Sequence, residues 1–122
     1  MLQVHIKKSG SVAVLCLDGK IVRGQTDVLR GAVLAQADAS VIVLDLARVH
    51  TVDAGGLGVM LKLREHTEST GTELRLRNVT QLVKRILEIT RLDSVFKISG
   101  NDRPDIVVHQ RPVVLLQMAS CA

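Results

Sequence analysis

The run Val41-Ile42-Val43-Leu44-Asp45-Leu46 constrains the fold more than any other stretch of this chain. Only Asp45 breaks its apolar character. A strand of this kind must be covered on both faces, which suits the centre of a parallel sheet. The chain must therefore alternate strands with helices around it, and its patterning does so.

Upstream, Leu2, Val4 and Ile6 alternate with Gln3, His5 and Lys7, the pattern of a half-buried strand. Ser9-Gly10-Ser11 marks a turn, and Val12 to Leu17 reads as a second, more buried strand completing a hairpin. Asp18-Gly19 ends it, with Ile21-Val22 as a short extended piece before Gly24. From Thr26 the period becomes helical, with Thr26 or Asp27 as N-cap and Val28, Leu29, Ala32, Val33 and Ala35 as the stripe. Gly55 to Thr70 reads as a second helix with Gly71 at its C-terminal end. Leu74 and Leu76 alternate with Glu73, Arg75 and Arg77 as a strand. Asn78 is expected to cap a third helix with the stripe Leu82, Val83, Ile86, Leu87 and Ile89. Val95 to Ile98 is a last short strand. The order is β-β-α-β-α-β-α-β, an α/β fold with a hairpin start and a mostly parallel sheet thereafter.

One domain is expected over residues 1–100, since 122 residues are too few for two ordinary ones. Residues 101–122 form an atypical tail. Pro112 discourages one continuous helix there, which leaves a late strand or an irregular segment packed on the body; an apolar strand without a partner in its own sheet would pair with another molecule, giving a homo-oligomer. Phe96 is the only aromatic, so the core must be aliphatic and bases have almost no stacking platform. The net charge of +4 is spread along the chain, which reads as solvated surface rather than a nucleic-acid patch. No apolar run reaches the length of a membrane span, and Met1 to His5 does not open a signal peptide. A cytoplasmic location and no membrane insertion are expected. Cys16 reads as a small core residue and Cys121 as mobile, with no disulfide framework implied.

Residues 41–58 run from the buried strand through Ala47-Arg48-Val49-His50-Thr51-Val52 to Asp53-Ala54-Gly55-Gly56-Leu57-Gly58. This segment resembles the STAS family, the domain of bacterial anti-sigma factor antagonists and of anion-transporter tails. The family pattern is a buried strand ending in Asp-Leu, a short link, and Asp-Ser-x-Gly-Leu-Gly opening a helix. Asp45-Leu46 and Asp53 to Gly58 match it, with Ala54 in place of the serine; Asn78-Val79 and Leu92-Asp93 also look like the family. The resemblance covers about residues 1–100 and implies a STAS-like mixed sheet and a module that docks a partner protein.

Elementary chemistry gives that segment a meaning of its own. A strand turning directly into a helix leaves N–H groups unpaired at the helix start, and the Asp53 carboxylate is placed to cap them. Gly55 and Gly56 carry no side chain to block a partner's backbone or an anion from the amides. The family's serine accepts phosphate, and a phosphoryl group unseats the partner by charge and bulk. Ala54 has no hydroxyl, so no phosphoacceptor is expected there. Thr51 stands where the family has an apolar residue and reads as a half-buried link residue rather than a replacement.

The partner-binding set is therefore Asp53, Ala54, Gly55, Gly56, Leu57, Gly58 and Lys62, with Glu65 and the loop around Lys20 to Gln25 beside it. The partner implied by the resemblance is an anti-sigma factor or another STAS-binding protein. The alternative is a structural STAS subunit of a signalling scaffold or lipid-transport assembly. His5, His50, His66 and His109 have no metal-ligand spacing, so neither metal nor cofactor is expected. His50 lies near Asp45 and Asp53 in sequence, but no nucleophile accompanies it, and an enzyme is not expected.

Overall fold

The computed structural model describes residues 1–99 and Cys121. Strands β1 (Gln3–Ser9) and β2 (Val12–Ile21) are followed by α1 (Asp27–Leu34), β3 (Val41–Val52), α2 (Ala54–Ser69), β4 (Glu73–Arg77), α3 (Gln81–Ile89) and β5 (Lys97–Ser99). The strands form one sheet in the order β1-β2-β3-β4-β5. The β1–β2 hairpin is antiparallel, and every later pairing is parallel. Element order and sheet type are those expected from the patterning, and β3 lies at the centre.

Each strand sends alternate side chains to opposite faces. Ala13, Leu15 and Leu17 of β2, Ile42, Leu44 and Leu46 of β3, and Leu74 and Leu76 of β4 join one core with Leu29, Val33, Leu57, Met60, Leu63, Val83 and Leu87 from the helices. All of these are aliphatic, as the lack of aromatics required; Phe96 alone adds a ring to this core. The other face carries a smaller cluster of Val12, Val14 and Val43, against which Cys16, Val41 and Cys121 pack.

Several boundaries differ from expectation, each for a local reason. Strand β2 does not stop at Asp18-Gly19. It runs on to Ile21 through register shifts after Cys16 and after Gly19. Gly19 takes φ +124°, and a Cβ there would lie 2.3 Å from the Met1 carbonyl oxygen, so glycine here permits a bulge and a close approach rather than ending the strand. The expected link after Leu46 is likewise strand, and Thr51 pairs with Lys20 in the ladder. Asn78 is not the cap of α3. Thr80 is: its hydroxyl accepts from the Val83 N–H at 3.3 Å, while Asn78 sits at φ +54°, a conformation asparagine tolerates. In the stripes of α1 and α3, Leu29, Val33, Val83 and Leu87 are buried, but Val28, Leu82 and Ile89 face outward. Strand β5 is three residues long and starts after Phe96, which is buried in the turn before it.

The cysteines are the clearest correction. Cys16 and Cys121 form a disulfide across a sequence separation of 105 residues, with Cα atoms 5.8 Å apart. Cys121 is therefore tethered to β2. Whether the tail forms a strand, with the oligomer contact it would bring, or an irregular segment on the body concerns residues outside the described ones.

Candidate functional site

At the C-terminal ends of β2 and β3 the chain makes two turns that meet. Strand β3 ends at Val52, and Asp53, in extended backbone, is the N-cap of α2. Its Oδ1 accepts from the Gly56 N–H at 2.7 Å. Both of its carboxylate oxygens also lie 3.1 Å from the Arg23 N–H, in the loop that leaves β2. The Asp53 N–H in turn donates to the Ile21 carbonyl at 3.3 Å. One aspartate thus closes the helix start and holds the Arg23 loop beside it.

The glycines explain why the two turns can approach so closely. A Cβ on Gly55 would lie 2.8 Å from the Cβ of Arg23, and one on Gly56 would lie 1.9 Å from the Ile21 carbonyl oxygen. Their missing side chains make room for this chain's own β2 end and the loop that leaves it. The Gly56 amide is likewise engaged by Asp53 and not held open for an anion. Gly58 meets nothing within 4 Å of an added Cβ.

The expected site residues thus divide by exposure. Asp53, Ala54 and Lys62 are exposed, Gly55 and Gly58 half-buried, and Gly56 and Leu57 buried. Arg23, Gly24 and Gln25 are also exposed, and the Arg23–Asp53 bonds bring that loop against the helix start. Thr51 is half-buried in the β-ladder. His50 is exposed and joins neither aspartate: Asp45 binds Ala47, Arg77 and Asn78, and Asp53 binds Arg23 and Gly56. Among the described residues no group of three or more His, Cys, Asp or Glu is placed to hold a metal ion, and no helix is long and apolar enough to cross a membrane.

Two connections had no signal in the sequence. The Arg23–Asp53 tie uses a backbone N–H, which any residue supplies. The Asp45–Arg77–Asn78 cluster joins the end of β4 to β3 across more than thirty residues.

Hydrogen bonds from Gly56 first and Arg23 second favour the charged form of Asp53 and hold its carboxyl below the ordinary range. A group lowered in this way stabilises the fold above its unfolded pKa, and that contribution fades as pH falls through the folded value. Asp53→Ala is expected to lower Tm at neutral pH by about 4–8 °C. Thermal melts down a pH series should show the gap to the parent chain narrowing in acid; a constant gap would mean that the charge is not what stabilises.

A mixed α/β domain whose central strand turns through an aspartate-capped, glycine-tight corner into a helix is the class that this fold and site define. The STAS domain family model matches residues 3–102, and the chain belongs to that family. A candidate anti-sigma factor antagonist of Bordetella bronchiseptica, BtrV, is 24% identical over 102 residues, covering 82% of this chain and 88% of that one. A STAS-domain containing protein of Pseudomonas aeruginosa is 35% identical over 57 residues, a match spanning 47% of this chain and only 56% of that relative's length. Among solved structures, an anti-sigma factor antagonist from Mycobacterium paratuberculosis superposes with a TM-score of 0.69 at 21% identity, covering 88% of this chain and 92% of the other. The unphosphorylated form of the anti-sigma factor antagonist SpoIIAA, from Bacillus, gives 0.69 at 14% identity, covering 86% and 93%. At such identities these structures speak for the fold alone.

Proposed function

We propose that this domain is a protein-docking regulatory module of the anti-sigma factor antagonist kind, without a phospho-switch at the start of α2. The carrying observation is that an exposed alanine, Ala54, follows the capping Asp53 at the corner where the family has its phosphoacceptor serine. The docking surface comprises Asp53, Ala54, Gly55, Gly58 and Lys62 with the adjoining loop of Arg23, Gly24 and Gln25. Gly56 and Leu57 serve it from beneath by holding α2 against β2. The relative SpoIIAA has both an unphosphorylated and a phosphorylated form. In this chain, Ala54 offers no hydroxyl, and Thr51 is held in the sheet.

The test is a pull-down with a kinase-type anti-sigma factor, with and without ATP, followed by peptide mapping. Retention is expected in both conditions, with no phosphate on any peptide covering residues 49–60. Ala54→Ser restores a hydroxyl beside the Asp53 carboxylate. Its phosphorylation should weaken binding on the order of tenfold or more, by like-charge repulsion and desolvation. ATP-dependent release of the parent chain, or phosphate on Thr51, would overturn the proposal.

A further inference from the structure

The sheet face opposite the helices holds a feature that docking at α2 does not use. A cavity of about 490 Å³ opens there, lined by His5, Lys7, Asp18, Asp45, Arg48 and Asn78 and by both half-cystines, Cys16 and Cys121. Its floor is β-sheet: His5 is paired with Cys16 and Cys16 with Asp45 in the strand ladder. Among the described residues Cys121 stands furthest along the chain in this lining, held by the bond to Cys16 and approached by Arg77, whose Nη2 lies 3.8 Å from its sulfur.

We propose that the Cys16–Cys121 disulfide is a redox-sensitive clasp: it holds Cys121 at this cavity, and its reduction by a dithiol frees Cys121 from β2 and changes the surroundings of the cavity's sheet residues. Three observations support this. Cys16 is only half-buried and lines the cavity, so a small thiolate has a route to its sulfur. Exchange goes fastest when the departing sulfur best carries negative charge, and the Arg77 guanidinium beside Cys121 stabilises charge on that sulfur. The clasp is also separable from the sheet. Cys16 stays in β2 through its ladder partners whether or not it is bonded, whereas no strand or helix among the described residues contains Cys121.

The chemistry balances as ordinary thiol–disulfide exchange. One thiolate of the dithiol attacks Cys16 Sγ, the Sγ–Sγ bond breaks, and Cys121 departs as a thiolate beside Arg77. The second thiol then attacks the mixed disulfide, freeing Cys16. Two electrons pass from the dithiol, which is oxidised to its own disulfide, and its two protons end on Cys16 and Cys121. In a chain expected to work in the cytoplasm, disulfides that form are usually transient and redox-sensing, which is the behaviour this arrangement suits.

The experiment uses the whole chain without substitution. Alkylation under native conditions followed by mass spectrometry is expected to label neither cysteine after oxidation and both after treatment with dithiothreitol. Two-dimensional NMR of the two forms should show shifts at Cys16 and Cys121 and, within the sheet, at Arg77 and the cavity residues His5, Asp18, Asp45, Arg48 and Asn78, with the sheet intact, and re-oxidation should reverse them. Cys121→Ser, which leaves β2 untouched, should reproduce the reduced spectrum without reductant and ignore dithiothreitol. Three results would overturn the clasp: both thiols labelled in oxidised protein, a disulfide that dithiothreitol reduces only after denaturation, or a reduction that leaves the cavity residues unshifted.

Discussion

Gly56→Ala is expected to destabilise this domain by more than about 3 kcal/mol, the upper end for overpacking, because the obstacle is backbone. The added Cβ would lie 1.9 Å from the Ile21 carbonyl oxygen, 2.7 Å from its carbon and 3.0 Å from its Cγ2. No rotamer change relieves such a clash. The Ile21 carbonyl also accepts from the Asp53 N–H, and Ile21 pairs with Val52, so moving it disturbs the end of the β2–β3 ladder and the helix cap together. Helix propensity alone has the opposite sign, since alanine in a helix interior is favoured over glycine by about 1 kcal/mol. Gly58 supplies the control. It lies in the same helix with nothing within 4 Å of an added Cβ, so Gly58→Ala should be neutral or stabilising by up to about 1 kcal/mol. Urea denaturation of both variants measures the contrast directly. A Gly56→Ala protein as stable as its parent would mean that β2 does not press on α2 as described.

That contrast also marks how far the sequence could be read. The alternation of Leu74 with Leu76, the helical stripe around Val83 and Leu87, and the apolar run from Val41 were legible because period follows directly from burial on one face or both. The corner from Asp53 was legible as a capped helix start for the same local reason. What each glycine does there was not, since Gly55, Gly56 and Gly58 look alike in sequence and only Ile21 and Arg23, more than thirty residues away, tell them apart. Gly19 misled in the same manner: a glycine after an aspartate signals a turn, and a bulge inside a continuing strand leaves the same trace. The disulfide was hidden most thoroughly. Neither the spacing nor the surroundings of Cys16 and Cys121 reveal that their Cα atoms lie 5.8 Å apart.

The second large effect is expected at Asp45, which belongs to the family pattern yet lies away from the docking corner. Its side chain is 3% exposed and accepts hydrogen bonds from the Ala47 N–H at 3.0 Å, from Arg77 Nε at 2.9 Å and from Asn78 Nδ2 at 2.9 Å, and Arg77 Nη2 lies 2.9 Å from its Oδ2 as an ion pair. Arg77 is half-buried, with 11% of its side chain exposed, so the pair is largely shielded from water. Removing one member of such a pair costs about 3–5 kcal/mol, because the remaining charge keeps its desolvation penalty and loses its counter-charge. Asp45→Ala should fall in that range, toward its lower end, since Arg77 retains its contact with Cys121. The loss should be local in origin. Asp45 and Arg77 are paired in the β3–β4 ladder, and Asn78, at φ +54°, is held by the same carboxylate where the chain leaves β4. Asp45→Asn retains an oxygen for the Ala47 N–H and should recover part of the loss, whereas adding Arg77→Met to Asp45→Leu should recover most of it by removing both charges. A double-mutant cycle by denaturant unfolding gives the coupling, expected at about 1.5–3 kcal/mol. Coupling near zero would mean that Asp45 serves the Ala47 and Asn78 turns alone, and that the ion pair is incidental to the stability of the domain.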